Sequence, residues 1–162
     1  PHADWLRAYL FAWAVQALHC LGLTSYLAIK ARKEGVPYRV FYEKLLQWAR
    51  MNPETVLGRE LRYVETKLYW ATHGGDWGDV LPSFGDIVWP MEEATFLRLS
   101  LGADEFFGDL AQVYTPEAVA YQRELVVSPE QFPDLETFAR ELWYGRKNPA
   151  RRLLKSEVAN AH

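Results

Sequence analysis

The sequence predicts an all-α protein: a multi-helix bundle, orthogonal and antiparallel in its packing, around a central apolar helix, with one ordered Gly/Pro/Trp-rich loop. Three observations predict it. A helix-opening phrase recurs as Asn52-Pro53-Glu54, Thr115-Pro116-Glu117 and Ser128-Pro129-Glu130, and Asn148-Pro149 repeats it without the acid. A capping oxygen, a proline of fixed φ and a carboxylate near the positive helix end each favour a start there. Apolar residues recur at three- and four-residue intervals through much of the chain, and glycines follow several of these runs, where a helix stops.

The first helix is read from Asp4 as cap through Trp5–Leu21, stopped by Gly22. It is apolar on nearly every side, which places it at the bundle centre, with Gln16, His19 and Cys20 as one narrow polar stripe at i, i+3, i+4. Continued to Ile29 the apolar stretch approaches spanning length, but Gln16, His19, Gly22, Thr24 and Ser25 argue against a membrane span. A second helix is predicted over Ser25 to Lys33, ended by Gly35. A third runs from Pro37 to Met51, with Phe41, Leu45 and Trp48 on one stripe. Asn52-Pro53 caps a fourth, which carries Leu57, Leu61, Val64 and Leu68 on one face and stops at Gly74-Gly75.

Residues 74–90 contain four glycines and two prolines, too many for a regular helix, yet Trp77, Val80, Leu81, Phe84, Ile87 and Trp89 are too apolar for an idle linker. An arm packed on the bundle is expected, with Asp86 to Trp89 a short extended segment. Pro90, followed by Glu92 and Glu93, opens a helix through Leu101 that Gly102 stops. Asp104 then caps a helix to about Val113, Thr115 one to about Val127 and Asp134 one from Leu135 to Tyr144, while Asn148-Pro149 starts a terminal helix. The organisation expected is one helical domain over 1–162, divided into a four-helix part (1–74), the arm (75–90), an acidic helical part (91–145) and a basic tail (146–162).

At 162 residues, 49% hydrophobic and 15% aromatic, the chain can bury a sizeable core. Cys20 is the only cysteine, which excludes an internal disulfide, a Cys-based zinc site and an iron–sulfur cluster held by this chain alone, and fits a reducing, cytoplasmic setting. The net charge of −3 is unevenly spread: ten Lys/Arg against six Asp/Glu in 1–74, three against fourteen in 75–145, five against one in 146–162. No sustained basic surface follows, so nucleic acid is not expected as a partner. The tail could touch phosphate, or dock on the acidic middle block.

No nucleophile elbow, phosphate loop, metal spacing or dinucleotide fingerprint is present, and no cofactor or metal is expected. Adjacent His19 and Cys20 point about 100° apart on a helix and are poorly set to chelate one metal, so a hydrogen-bonded structural His19 is favoured over a ligand or proton-transfer role. Glu92 and Glu93 stabilise a helix start, unless burial raises one for acid–base work. Asp76, Asp79 and Asp86 lack the spacing of a calcium loop. The aromatic set Trp77, Phe84, Trp89, Phe96, Phe106 and Phe107 fits a core better than a ligand groove.

The phrases DWLRAYLFAWAVQALHCLGLTSYLA, PYRVFYEKLL and FGDIVWPMEEATFLRLS, followed by a helix containing Phe106-Phe107, resemble the helical region that follows the catalytic barrel in cobalamin-binding-domain radical SAM proteins. The resemblance covers about residues 4–110 and is one of order and phrase: an aromatic helix ending in His-x-x-Gly, a Tyr-x-x-Phe-Tyr helix, and a Trp-Pro-x-Glu-Glu-Ala turn into a helix. That family's Cys-x-x-x-Cys-x-x-Cys cluster motif and Asp-x-His-x-x-Gly cobalamin motif are absent here. The resemblance therefore implies a non-catalytic accessory or interaction domain, partnered by a radical SAM catalytic domain or by its own copies. The alternative is a small-molecule-binding or enzymatic helical protein with a pocket between the central helix and the Trp-rich loop. Gln16, His19, Trp89, Glu92 and Glu93 are the candidate ligand or interaction residues, and Gly22 shares the matching phrase.

Overall fold

The computed structural model describes residues 2–84, 86–126, 129–134, 136–138 and 140, and these are mostly helical with one two-stranded sheet. Helix α1 (His2–Ala14) continues into a π-helical stretch, Val15–Cys20, and is followed by α2 (Ser25–Lys33), α3 (Tyr38–Met51) and α4 (Val56–Thr72). Strands β1 (Gly78–Val80) and β2 (Val88–Pro90) form an antiparallel hairpin, and α5 (Met91–Leu101), α6 (Ala103–Leu110) and α7 (Pro116–Glu124) complete the order. Gly22, Gly35 and Gly74, three of the predicted stops, have φ of 97°, 92° and 91°, the left-handed conformation that glycine adopts without a Cβ penalty.

The starts follow the sequence less closely. Thr115 caps α7 as expected, its side chain accepting from the Ala118 N–H with Pro116 in the first turn. Asn52 does not cap α4. Thr55 does, accepting from the Gly58 N–H at 3.1 Å, while Asn52 Nδ2 turns back to donate to the Trp48 carbonyl at 2.8 Å and closes α3. Asp4 and Asp104 sit inside first turns rather than at caps and pair with Arg7 and Arg123. Asp134 does open a helix, accepting from the Thr137 N–H. Of the stretch predicted as this helix, Leu135, Ala139 and residues 141–144 lie outside the described residues, as do Ser128 and the whole 146–162 tail.

One hydrophobic cluster runs from Leu10 to Phe138. Its centre is α5: Met91, Ala94, Thr95, Phe96 and Leu97 are fully buried, because both strands, α1 with its π-helical stretch, α4 and α6 all pack on this helix. The helix over Trp5–Leu21 is central only in its second half. Trp13, Ala17 and Leu18 are core, but Trp5 and Tyr9 are 45% and 36% exposed, so apolarity on all sides there reflects surface aromatics rather than burial. No single described helix is long and apolar enough to cross a membrane, and the apolar run through α1 and α2 bends by 95° between them.

A buried side chain closes that bend. Gln122 on α7 donates from Nε2 to the Gly22 carbonyl at 2.7 Å and accepts at Oε1 from the Tyr26 and Leu27 N–H groups at 2.7 and 3.2 Å. It thus supplies from a distant helix the acceptor that the first turn of α2 lacks.

Candidate functional site

The hairpin register pairs Gly78 with Pro90, Asp79 with Trp89 and Val80 with Val88. Side chains alternate along a strand, so Asp79 and Trp89 face the helices together while Val80 and Val88 face outward. Trp89 is 2% exposed, whereas Val80 and Val88 are 46% and 67% exposed.

Turned inward, Asp79 meets Arg98 of α5 at 2.8 Å. The guanidinium also grips Glu60 of α4, with Nε 3.1 and 3.0 Å from its two oxygens and Nη2 2.7 Å from Oε1. Thr95 donates to the same Oε1 at 2.7 Å and accepts from Trp13 Nε1 at 3.0 Å, which extends the chain of bonds to α1. Tyr63 lies under the guanidinium, 4.7 Å from ring centroid to carbon, and donates its hydroxyl to Asp79 at 2.5 Å. Four helical and strand elements are thereby tied at one point. A cleft of about 610 Å³ opens over it, walled by Val80, Leu81, Pro82 and Leu101.

The electrostatics hold charge in place rather than move protons. Burial alone would raise the Asp79 carboxyl, but the Tyr63 hydroxyl, Arg98 and the Val80 N–H outweigh it and hold it below the ordinary range. Tyr63 is pushed up to about 12 by burial and by its bond to Asp79, so it keeps its proton as donor. Glu60 and Arg98 are 7% and 25% exposed and mutually engaged. Asp79, weighed above as a calcium ligand, is occupied by these bonds, and among the described residues no group of three His, Cys, Asp or Glu is placed to hold a metal ion.

The sequence-derived candidates fall elsewhere. Gln16 is exposed. His19 is half-buried against α3, its Nδ1 paired with the Tyr42 hydroxyl at 2.8 Å and its ring edge-on to Tyr38 and Tyr42; burial lowers its pKa and keeps it neutral. Glu92 accepts from Trp77 Nε1 at 3.1 Å, beside the Trp77, Tyr9 and Trp5 rings. Glu93 has a buried Oε2 with no protein partner, as does the Trp89 indole N–H. Of the six aromatics set out as core or groove, Phe84, Trp89, Phe96, Phe106 and Phe107 are buried, and Trp77 is half-buried. The cleft over Arg98, a groove between α1 and α3 and a shallow one on α4 are lined by none of Gln16, His19, Trp89, Glu92 and Glu93. The network at Arg98 escaped the sequence reading because its members are 19 and 38 residues apart, and their one local signal was a buried-looking arginine on an apolar helix.

No protein-family model matches the chain. It is similar to the cobalamin-dependent radical SAM methyltransferase TokK of Streptomyces tokunonensis, 25% identical over an alignment that covers 83% of this chain. The match spans 24% of TokK, so the chain accounts for about a quarter of that relative's length. A single cysteine cannot supply the three thiolates of the family's cluster motif, so these residues do not fit an iron–sulfur cluster.

Proposed function

We propose that this chain is an accessory, non-catalytic helical domain that associates with the catalytic portion of a cobalamin-dependent radical SAM protein in a reducing, cytoplasmic setting. The observation that carries this is the TokK match: it extends over 83% of the chain, yet the chain has one cysteine where the cluster motif needs three. The outward face of the hairpin supports an interaction role. Val80, Val88 and the nearby Leu101 stand 46%, 67% and 54% exposed, while Asp79 on the opposite face is fixed by Arg98. The Arg98 network then acts as the tie that presents this face.

Reconstitution tests the non-catalytic half of the reading. The purified chain, incubated anaerobically with iron, sulfide and hydroxocobalamin and then gel-filtered, is expected to carry neither cluster nor corrin absorbance. One equivalent of either, retained through filtration, overturns the reading.

A further inference from the structure

The groove between α1 and α3, about 640 Å³, lies within the size of small-molecule sites. Leu10, Phe11 and Leu46 line it, and Leu10 and Leu46, each 6% exposed, belong to the core beneath. Its charged lining is Arg7, Arg39 and Arg50 against Asp4 and Glu43, one positive charge in excess. Arg7 spends Nη2 on Asp4 at 2.9 Å, and Arg39 spends Nε on Glu43 at 2.7 Å. Arg50 reaches to Glu65 on α4, which does not line the groove, through long bonds of 3.3 and 3.2 Å. A guanidinium has five N–H donors, so most donors of these three arginines remain for another acceptor. Exposed ion pairs contribute little, so the arginines can turn toward a ligand at small cost. Planar guanidinium groups beside an apolar floor match a carboxylate on an apolar body.

We propose that this groove binds a small monocarboxylate, its apolar body on Leu10, Phe11 and Leu46 and its carboxylate held by Arg50, whose partner Glu65 lies outside the groove. The site is independent of the accessory role proposed above. Octanoate is the probe, titrated by calorimetry into the full chain, with octan-1-ol and inorganic phosphate as comparisons. Octanoate is expected to bind once per chain, and both comparisons at least about tenfold more weakly, the size of one charge-assisted hydrogen bond. Arg50→Gln should weaken octanoate by a similar factor and leave octan-1-ol unchanged. The Arg50 side chain is 48% exposed, so the fold should survive its replacement, and a thermal melt monitors this. Equal binding of octanoate and octan-1-ol, wild-type affinity in the Arg50→Gln variant, or no octanoate binding would overturn the proposal.

Discussion

Arg98 and Glu60 face each other across α5 and α4 in a multidentate pair, Nε bridging both carboxylate oxygens and Nη2 2.7 Å from one of them. Glu60 is nearly closed to water, so removing the arginine strands a buried charge. Arg98→Met should cost about 2–4 kcal/mol in urea unfolding. Glu60→Leu combined with Arg98→Met should recover part of that loss, because no buried Glu60 charge is then stranded, while Asp79 still loses its arginine. A double variant that loses the sum of both single effects would show the pair to be uncoupled.

Trp13 and Trp89 are both buried, but only Trp13 has a partner for its indole N–H, at Thr95. Trp13→Phe should therefore be more destabilising than Trp89→Phe by about 1 kcal/mol. Trp89→Ala should cost about 3–5 kcal/mol through the cavity it leaves. Denaturant midpoints of the three variants check the order.

Gly58 sits where α4 crosses the end of α3, and a Cβ there would stand 2.2 Å from the Asn52 carbonyl and 2.8 Å from that of Ala49. Those are backbone atoms that cannot swing aside. Gly58→Ala, normally favourable within a helix, should instead destabilise by at least about 1 kcal/mol. A thermal melt at or above the wild-type midpoint would contradict this close approach.

Much of the fold was legible in local chemistry. Gly22, Gly35 and Gly74 were readable as stops because a left-handed residue is a one-residue requirement, and Thr115-Pro116-Glu117 because a cap is a three-residue one. Asn52 misled because asparagine closes a helix as readily as it opens one. The Trp5–Leu21 helix misled because hydrophobicity says what a helix can bury, not how many neighbours reach it; α5, with a charged first turn, has more. The Arg98 network and the Gln122 cap depend on long-range pairing, up to 100 residues for Gln122 with Gly22, and periodicity carries no such information. Of the candidate residues, the hydrogen-bonded character of His19, the burial of Trp89 with the other aromatics and the place of Glu92 and Glu93 in the first turn of α5 were readable beforehand.

Burial raises the Glu93 carboxyl, and the neighbouring charge of Glu92 adds to it. A carboxylate whose folded pKa lies above its unfolded value favours the fold at low pH and loses that contribution as pH rises through the folded pKa. The ionised side chain is thus a cost at neutral pH. Glu93→Gln should be more stable than wild type at pH 7, and the difference should shrink toward about pH 4, near the ordinary glutamate value. Urea midpoints at the two pH values decide it; a variant less stable at pH 7 would reverse the sign.

Analytical ultracentrifugation tests the accessory role most directly, with this chain mixed at micromolar concentration with a cobalamin-dependent radical SAM protein from the same organism. The account predicts a complex of the two, weakened by Val88→Glu on the outward hairpin face. Two independently sedimenting species at every ratio would contradict it.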